Sequence, residues 1–215
     1  MVGANQPSTL TFTISNSAGN PAQTGLGFTD TLPPGAVIAG APSSPQCGGT
    51  ISFTANAITL SSGSLTAGVS SCTITIGVTS ATPGTFANTS SNISVVTGGL
   101  VTSAVSSTLT VVGTTLTKSF SPSSIGVGGT STLTFTVANG SGNPAQSGLS
   151  FIDTLPDNVT VAGVLTASQC GGAVSSSGPG NIAFSGGSLA SGVASCIINA
   201  IVTSAMGGSV YQRRR

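Results

Sequence analysis

Polar and apolar residues alternate along Ser8–Ser15 (STLTFTIS), so that Leu10, Phe12 and Ile14 fall on one face of an extended segment and Thr9, Thr11 and Thr13 on the other. The same pattern returns at Ser131 as STLTFTVA, with Leu133, Phe135 and Val137 opposite Thr132, Thr134 and Thr136. The correspondence runs on. Asp30 recurs as Asp153 and Cys47 as Cys170 at one common interval, and Cys72 recurs as Cys196 one residue further on. A repeat of roughly 120 residues is close to the usual size of a domain, so the chain reads as two tandem modules, residues 1–113 and 114–215.

Within the first module the pattern predicts strands at Leu10–Ser15, Leu26–Leu32, Ala36–Ala39, Ile51–Ala55, Ile58–Ser61 and Ser71–Ser80. In the last of these Cys72, Ile74, Ile76 and Val78 share a face. Two further strands, Phe86–Val96 and Leu100–Val112, are expected as a hairpin around Thr97-Gly98-Gly99. Asn16–Gln23 carries turn residues, Pro33-Pro34-Gly35 stops a ladder by withholding backbone donors, and Ala41–Gly49 reads as a loop holding Cys47. Many short strands, closely spaced turns and no helical periodicity predict an all-β chain of two Ig-like antiparallel β-sandwich modules. The first is expected to lack a first strand, which the second supplies within Thr114–Gly129. The second is expected to lack the last hairpin. Uncovered edges recruit strands, so either a longer parent chain completes them or neighbouring repeats of identical chains associate head to tail by strand exchange. The longer parent is the favoured reading.

Composition narrows the function. Charged residues make up 3% of the chain, the net charge is +1, and there is no His, Trp or Glu. Nucleic acid and anionic membranes both require clustered cations, and the basic residues apart from Lys118 are the terminal run Arg213–Arg215, read as a chain end. No apolar run is long enough to span a membrane, and no signal-peptide pattern follows Met1. The mean hydropathy of +0.44 and the β-branched strands oppose disorder.

Each module carries two cysteines at matched places. Two thiols without histidine cannot close a zinc shell, so Cys47 is expected to bond Cys72, and Cys170 to bond Cys196, in an oxidising compartment. Catalysis finds few groups: Asp30, Asp153, Asp157, Lys118 and Tyr211, with no histidine base and one repeat-equivalent acid per module. Catalytic, cofactor and metal residues are all expected to be none. Asp30 and Asp153 read as turn or strand-end acceptors before Thr-Leu-Pro, and Asp153 with Asp157 is too sparse a set for calcium. A first-strand lysine joined to a last-strand asparagine across an acid is a conceivable crosslink, using Lys118 and Asp153. The position matching Asn88 is Gln212, which speaks against it. Sequons occur at Asn88, Asn92, Asn139 and Asn158.

The string from Lys118 to Gly163, with QCGG at Gln169–Gly172, GGSLASGVASC ending at Cys196 and VTSA at Val202–Ala205, resembles a known repeat. It is similar to the tandem Ig-like conserved repeat, of unknown function, found in large bacterial secreted and surface proteins. The resemblance implies an extracellular stalk or adhesin-like array and carries over no catalytic residue. The expected role is therefore a structural spacer at the cell surface or in a secreted fibre. The alternative is a carbohydrate- or ice-binding adhesin module using its loops or the Thr rows.

Overall fold

The computed structural model describes residues 1–17, 19–43, 47–140 and 142–207. Tyr211, Gln212 and Arg213–Arg215 lie outside the described residues. The chain is all-β, and its contacts divide it into two compact units, Met1–Val112 and Gly113–Arg215.

The first unit runs β1 (Val2–Gly3), β2 (Ser8–Ser15), β3 (Gln23–Thr31), β4 (Val37–Ile38), β5 (Thr50–Phe53), β6 (Ala57–Leu65), β7 (Ser71–Thr79), β8 (Gly84–Thr89), β9 (Ile93–Thr97) and β10 (Ser106–Val112). Its sheets are ordered β2-β7-β4, β5-β6-β3-β9 and β1-β10-β8. The inner faces follow the alternation in the sequence. Leu10 and Ile14 of β2 and Cys72, Ile74, Ile76 and Val78 of β7 are buried in one cluster with Leu26 and Phe28 of β3 and Ile58, Leu60 and Leu65 of β6. The rings of Phe12 and Phe28 meet across the sandwich with centroids 5.0 Å apart.

Two details depart from the strands expected. The hairpin expected around Thr97-Gly98-Gly99 pairs only over its outer arms, Gly84–Thr89 with residues 106–111, and not beside the turn. Its first arm breaks at a 3-10 turn, Ser90–Asn92, where the Asn92 side chain accepts from the Thr89 amide and donates to the Thr31 carbonyl. The two halves then serve different sheets, β8 pairing with β10 and β9 with β3. A Thr- and Val-rich run satisfies a strand pattern on either side of such a break, so periodicity did not disclose it. The second departure is β1, which pairs parallel to β10 through Val2 and Val111. Two residues carry no period to read.

The second unit runs β11 (Thr114–Ser121), β12 (Thr130–Asn139), β13 (Gln146–Thr154), β14 (Val159–Ser168), β15 (Gly171–Ser175), β16 (Asn181–Leu189) and β17 (Ser195–Ser204). Its sheets are ordered β11-β12-β17-β14 and β13-β16-β15. Strands β12 to β17 repeat β2 to β7 in order and partners. One difference is the length of β14 against the two residues of β4. Where the second unit has Leu165 the first has Pro42, whose missing N–H interrupts the ladder along β7 before it returns at the Ser43–Thr75 bridge. The more consequential difference is β11, paired along its whole length with β12. The matching edge of β2 has no strand on it among the described residues.

Cys47 joins Cys72, and Cys170 joins Cys196, each with 5.1 Å between Cα atoms and all four residues buried. The Gly-Gly that follows the first cysteine of each pair has a steric cause. Gly49 and Gly172 hold φ near +69° and +66°, and a Cβ on either would collide with the carbonyl oxygen of Ser61 or Ser185 on the neighbouring strand.

Candidate functional site

Period-two alternation along β3 places Leu26, Phe28 and Asp30 on the same inward face. Asp30, at the end of β3, is consequently fully buried, and it accepts from a distant strand and not from the turn that follows it. Its partner is Asn88 of β8, itself 8% exposed, whose Nδ2 donates to Asp30 Oδ2 at 2.8 Å. Asp30 Oδ1 and Asn88 Oδ1 are buried without a partner. Desolvation raises the Asp30 pKa, and the hydrogen bond from Asn88 offsets this only in part.

The sign of the resulting pH dependence is fixed. Unfolded, the carboxyl titrates near 3.8; folded, it titrates higher, so across that interval the folded unit holds a proton that the unfolded chain has released. The stabilisation is complete below the unfolded value and is lost as pH rises through the folded one. Asp30 is the only Asp, Glu, Lys, Arg, His or Tyr within residues 1–112. Hydrogen exchange on the intact chain should therefore show the first unit gaining stability as pH falls from neutral toward 4, and Asp30→Asn should flatten the profile.

In the second unit the same inward row on β13 is Leu149, Phe151 and Asp153. Here the carboxyl meets an amine. Lys118 stands opposite Phe135 in the β11–β12 register, and its Nζ lies 2.5 Å from Asp153 Oδ1. The side chains are 24% and 12% exposed, so the ion pair is partly shielded from water. Equivalent acids thus hold a first-strand lysine in one unit and the β8 asparagine in the other. Lys118 is also the only Lys or Arg before Arg213, and it lies within a paired strand. Limited trypsinolysis should leave the folded chain intact up to the terminal arginines, and rapid cutting after Lys118 would show β11 to be loosely held.

An open groove of about 640 Å³ runs beside the unpaired edge of β2. Leu10 to Asn16 form one wall, residues 98–102 and 104–107 the other, and Phe28, Asn88 and Ile93 lie along it. The open edge is the one expected where the first module lacks a counterpart of β11, whereas the far wall, where the chain departs from the hairpin near its turn, left no sign in the pattern. Thr9, Thr11 and Thr13 are exposed on the opposite face of β2. The sequons at Asn88 and Asn139 are buried. Among the described residues no three His, Cys, Asp or Glu gather as a metal site, and no helix is long and apolar enough to cross a membrane.

A family model described as a domain of unknown function, DUF7933, matches residues 1–111 and again residues 114–213. The chain belongs to the DUF7933 family. No curated protein matches it. The two matched segments follow the two compact units, so each DUF7933 match comprises one sandwich with its own core and its own disulfide. The inward acid, Asp30 or Asp153, falls at the same place in both.

Proposed function

We propose that this chain is a structural, non-enzymatic segment of a bacterial extracellular protein, in which tandem DUF7933 units span distance at a cell surface or in a secreted fibre. The observation that carries this reading is the repetition of a complete, disulfide-closed core in each unit. A disulfide in every unit suits an oxidising compartment. The repeat's resemblance to Ig-like repeats of secreted and surface proteins points the same way. So does the choice of polar residues: Ser and Thr cover the strands where most proteins use charge, which leaves the surface with little to recognise ionic partners. The partners of such a unit are its neighbouring repeats.

Antibody raised against the folded chain should label intact, unpermeabilised producer cells or their medium, and thiol titration of the native protein should find no free cysteine. Labelling confined to permeabilised cells, with reduced cysteines, would overturn the proposal.

A further inference from the structure

The two units carry complementary halves of one arrangement. In the second, Asp153 and Lys118 are joined, with the lysine supplied by β11. In the first, Asp30 and Asn88 are joined, with one oxygen of each left buried and unpartnered. Strand β11 pairs with Thr132 to Asn139, whose counterparts by repeat are Thr9 to Asn16, and the groove of the first unit is walled by Leu10 to Asn16. A strand of the β11 type laid there in the same register would place its lysine opposite Phe12, the counterpart of Phe135. The amine would then reach the carboxyl of Asp30, as Lys118 reaches Asp153. One carboxyl would hold both the amine and the Asn88 carboxamide within hydrogen-bond reach.

We propose that the groove beside β2 seats a first strand of the β11 type, and that its lysine condenses with the side chain of Asn88 to form an isopeptide bond, with Asp30 as the catalytic residue. The groove selects for an extended segment with alternating apolar residues and a central lysine, as in Thr114–Ser121. The neutral Nζ attacks Asn88 Cγ beside the Asp30 carboxyl, whose Oδ2 already holds Nδ2 and whose Oδ1 is unpartnered. The proton shed by Nζ passes through Asp30 to Nδ2. The Cγ–Nδ2 bond breaks, ammonia leaves, the Nζ–Cγ amide remains, and Asp30 regains its starting form. No oxidant or cofactor enters. Burial supports the chemistry by favouring the uncharged forms of both the acid and the amine. The position matching Asn88 in the second unit is Gln212, so this chain holds the amide half in its first unit and the amine half in its second. The inference stands on this geometry and is independent of the extracellular reading.

The test uses the intact, oxidised chain and a synthetic peptide of Thr114–Ile125, capped at both ends, with intact mass recorded under denaturing conditions. The expected product is an adduct one ammonia lighter than the sum of its parts, with fragmentation placing the link between the peptide's lysine and Asn88. Peptide carrying Lys118→Arg should give no adduct, nor should protein carrying Asn88→Ala, and Asp30→Ala should slow the reaction at least tenfold. The peptide variant leaves the protein untouched, so a folding defect cannot imitate its result. Unchanged masses after prolonged incubation, peptide held only non-covalently, or a link to any other residue would each overturn the proposal.

Discussion

Replacing Phe184 by alanine is expected to destabilise the second unit by about 3–5 kcal/mol, the range for deleting a large buried aromatic side chain. Phe184 is 1% exposed on the inner face of β16, with its ring 5.6 Å from that of Phe151, which in turn lies 4.9 Å from Phe135. These rings join the two sheets. The site has little freedom to collapse around the lost side chain, because Gly187 already lets the ring sit against the β16 backbone and a Cβ there would strike it. A loss of this size is a large fraction of the roughly 5–15 kcal/mol that holds a domain folded. The first unit has Leu60 at the equivalent place, 2% exposed, and Leu60→Ala should cost about 2–5 kcal/mol. Denaturant unfolding followed by exchange at amides of each unit separates the two effects. A loss under 1 kcal/mol for Phe184→Ala would mean that the aromatic contacts do not carry the core.

The second large effect belongs to the cystines. Converting Cys170 and Cys196 together to alanine should cost the second unit about 3 kcal/mol, since the bond closes a 26-residue loop whose freedom in the unfolded chain is otherwise restored. The Cys47–Cys72 pair closes 25 residues, so its removal should cost the first unit a similar amount. The four cysteines are 0–2% exposed, so reductant alone should act slowly on the folded chain and quickly once denaturant opens it. Reduction at equal rates with and without denaturant would show that the bonds are not shielded as described.

The sequence made some of this legible and hid the rest for physical reasons. Alternation is a local property, so the inward rows from Leu10 to Ile14 and from Cys72 to Val78 could be read directly, and the repeat fixed the cysteine partners by matched spacing. The direction of Asp30 was also present, since it continues the row of Leu26 and Phe28. The proline that follows drew attention to the turn instead. Its contact with Asn88 is a long-range consequence of β8 leaving β9 for another sheet, and the 3-10 turn that causes this lies inside a run with strand composition throughout. The open edge of β2 was legible from the repeat, which gives the first module no counterpart of Thr114–Gly129, but the far wall of the groove depends on long-range pairing that no local pattern records.

The central claim is that each unit is a self-contained, disulfide-locked element suited to spanning distance. Single-molecule extension of the intact chain between terminal handles tests it most directly. Two separate unfolding events are expected, and reduction should lengthen the release of each by the residues its cystine encloses, about 9 nm per unit for loops of 25 and 26 residues. A chain that extends without resolvable events, or whose released length is unchanged by reduction, would contradict the account.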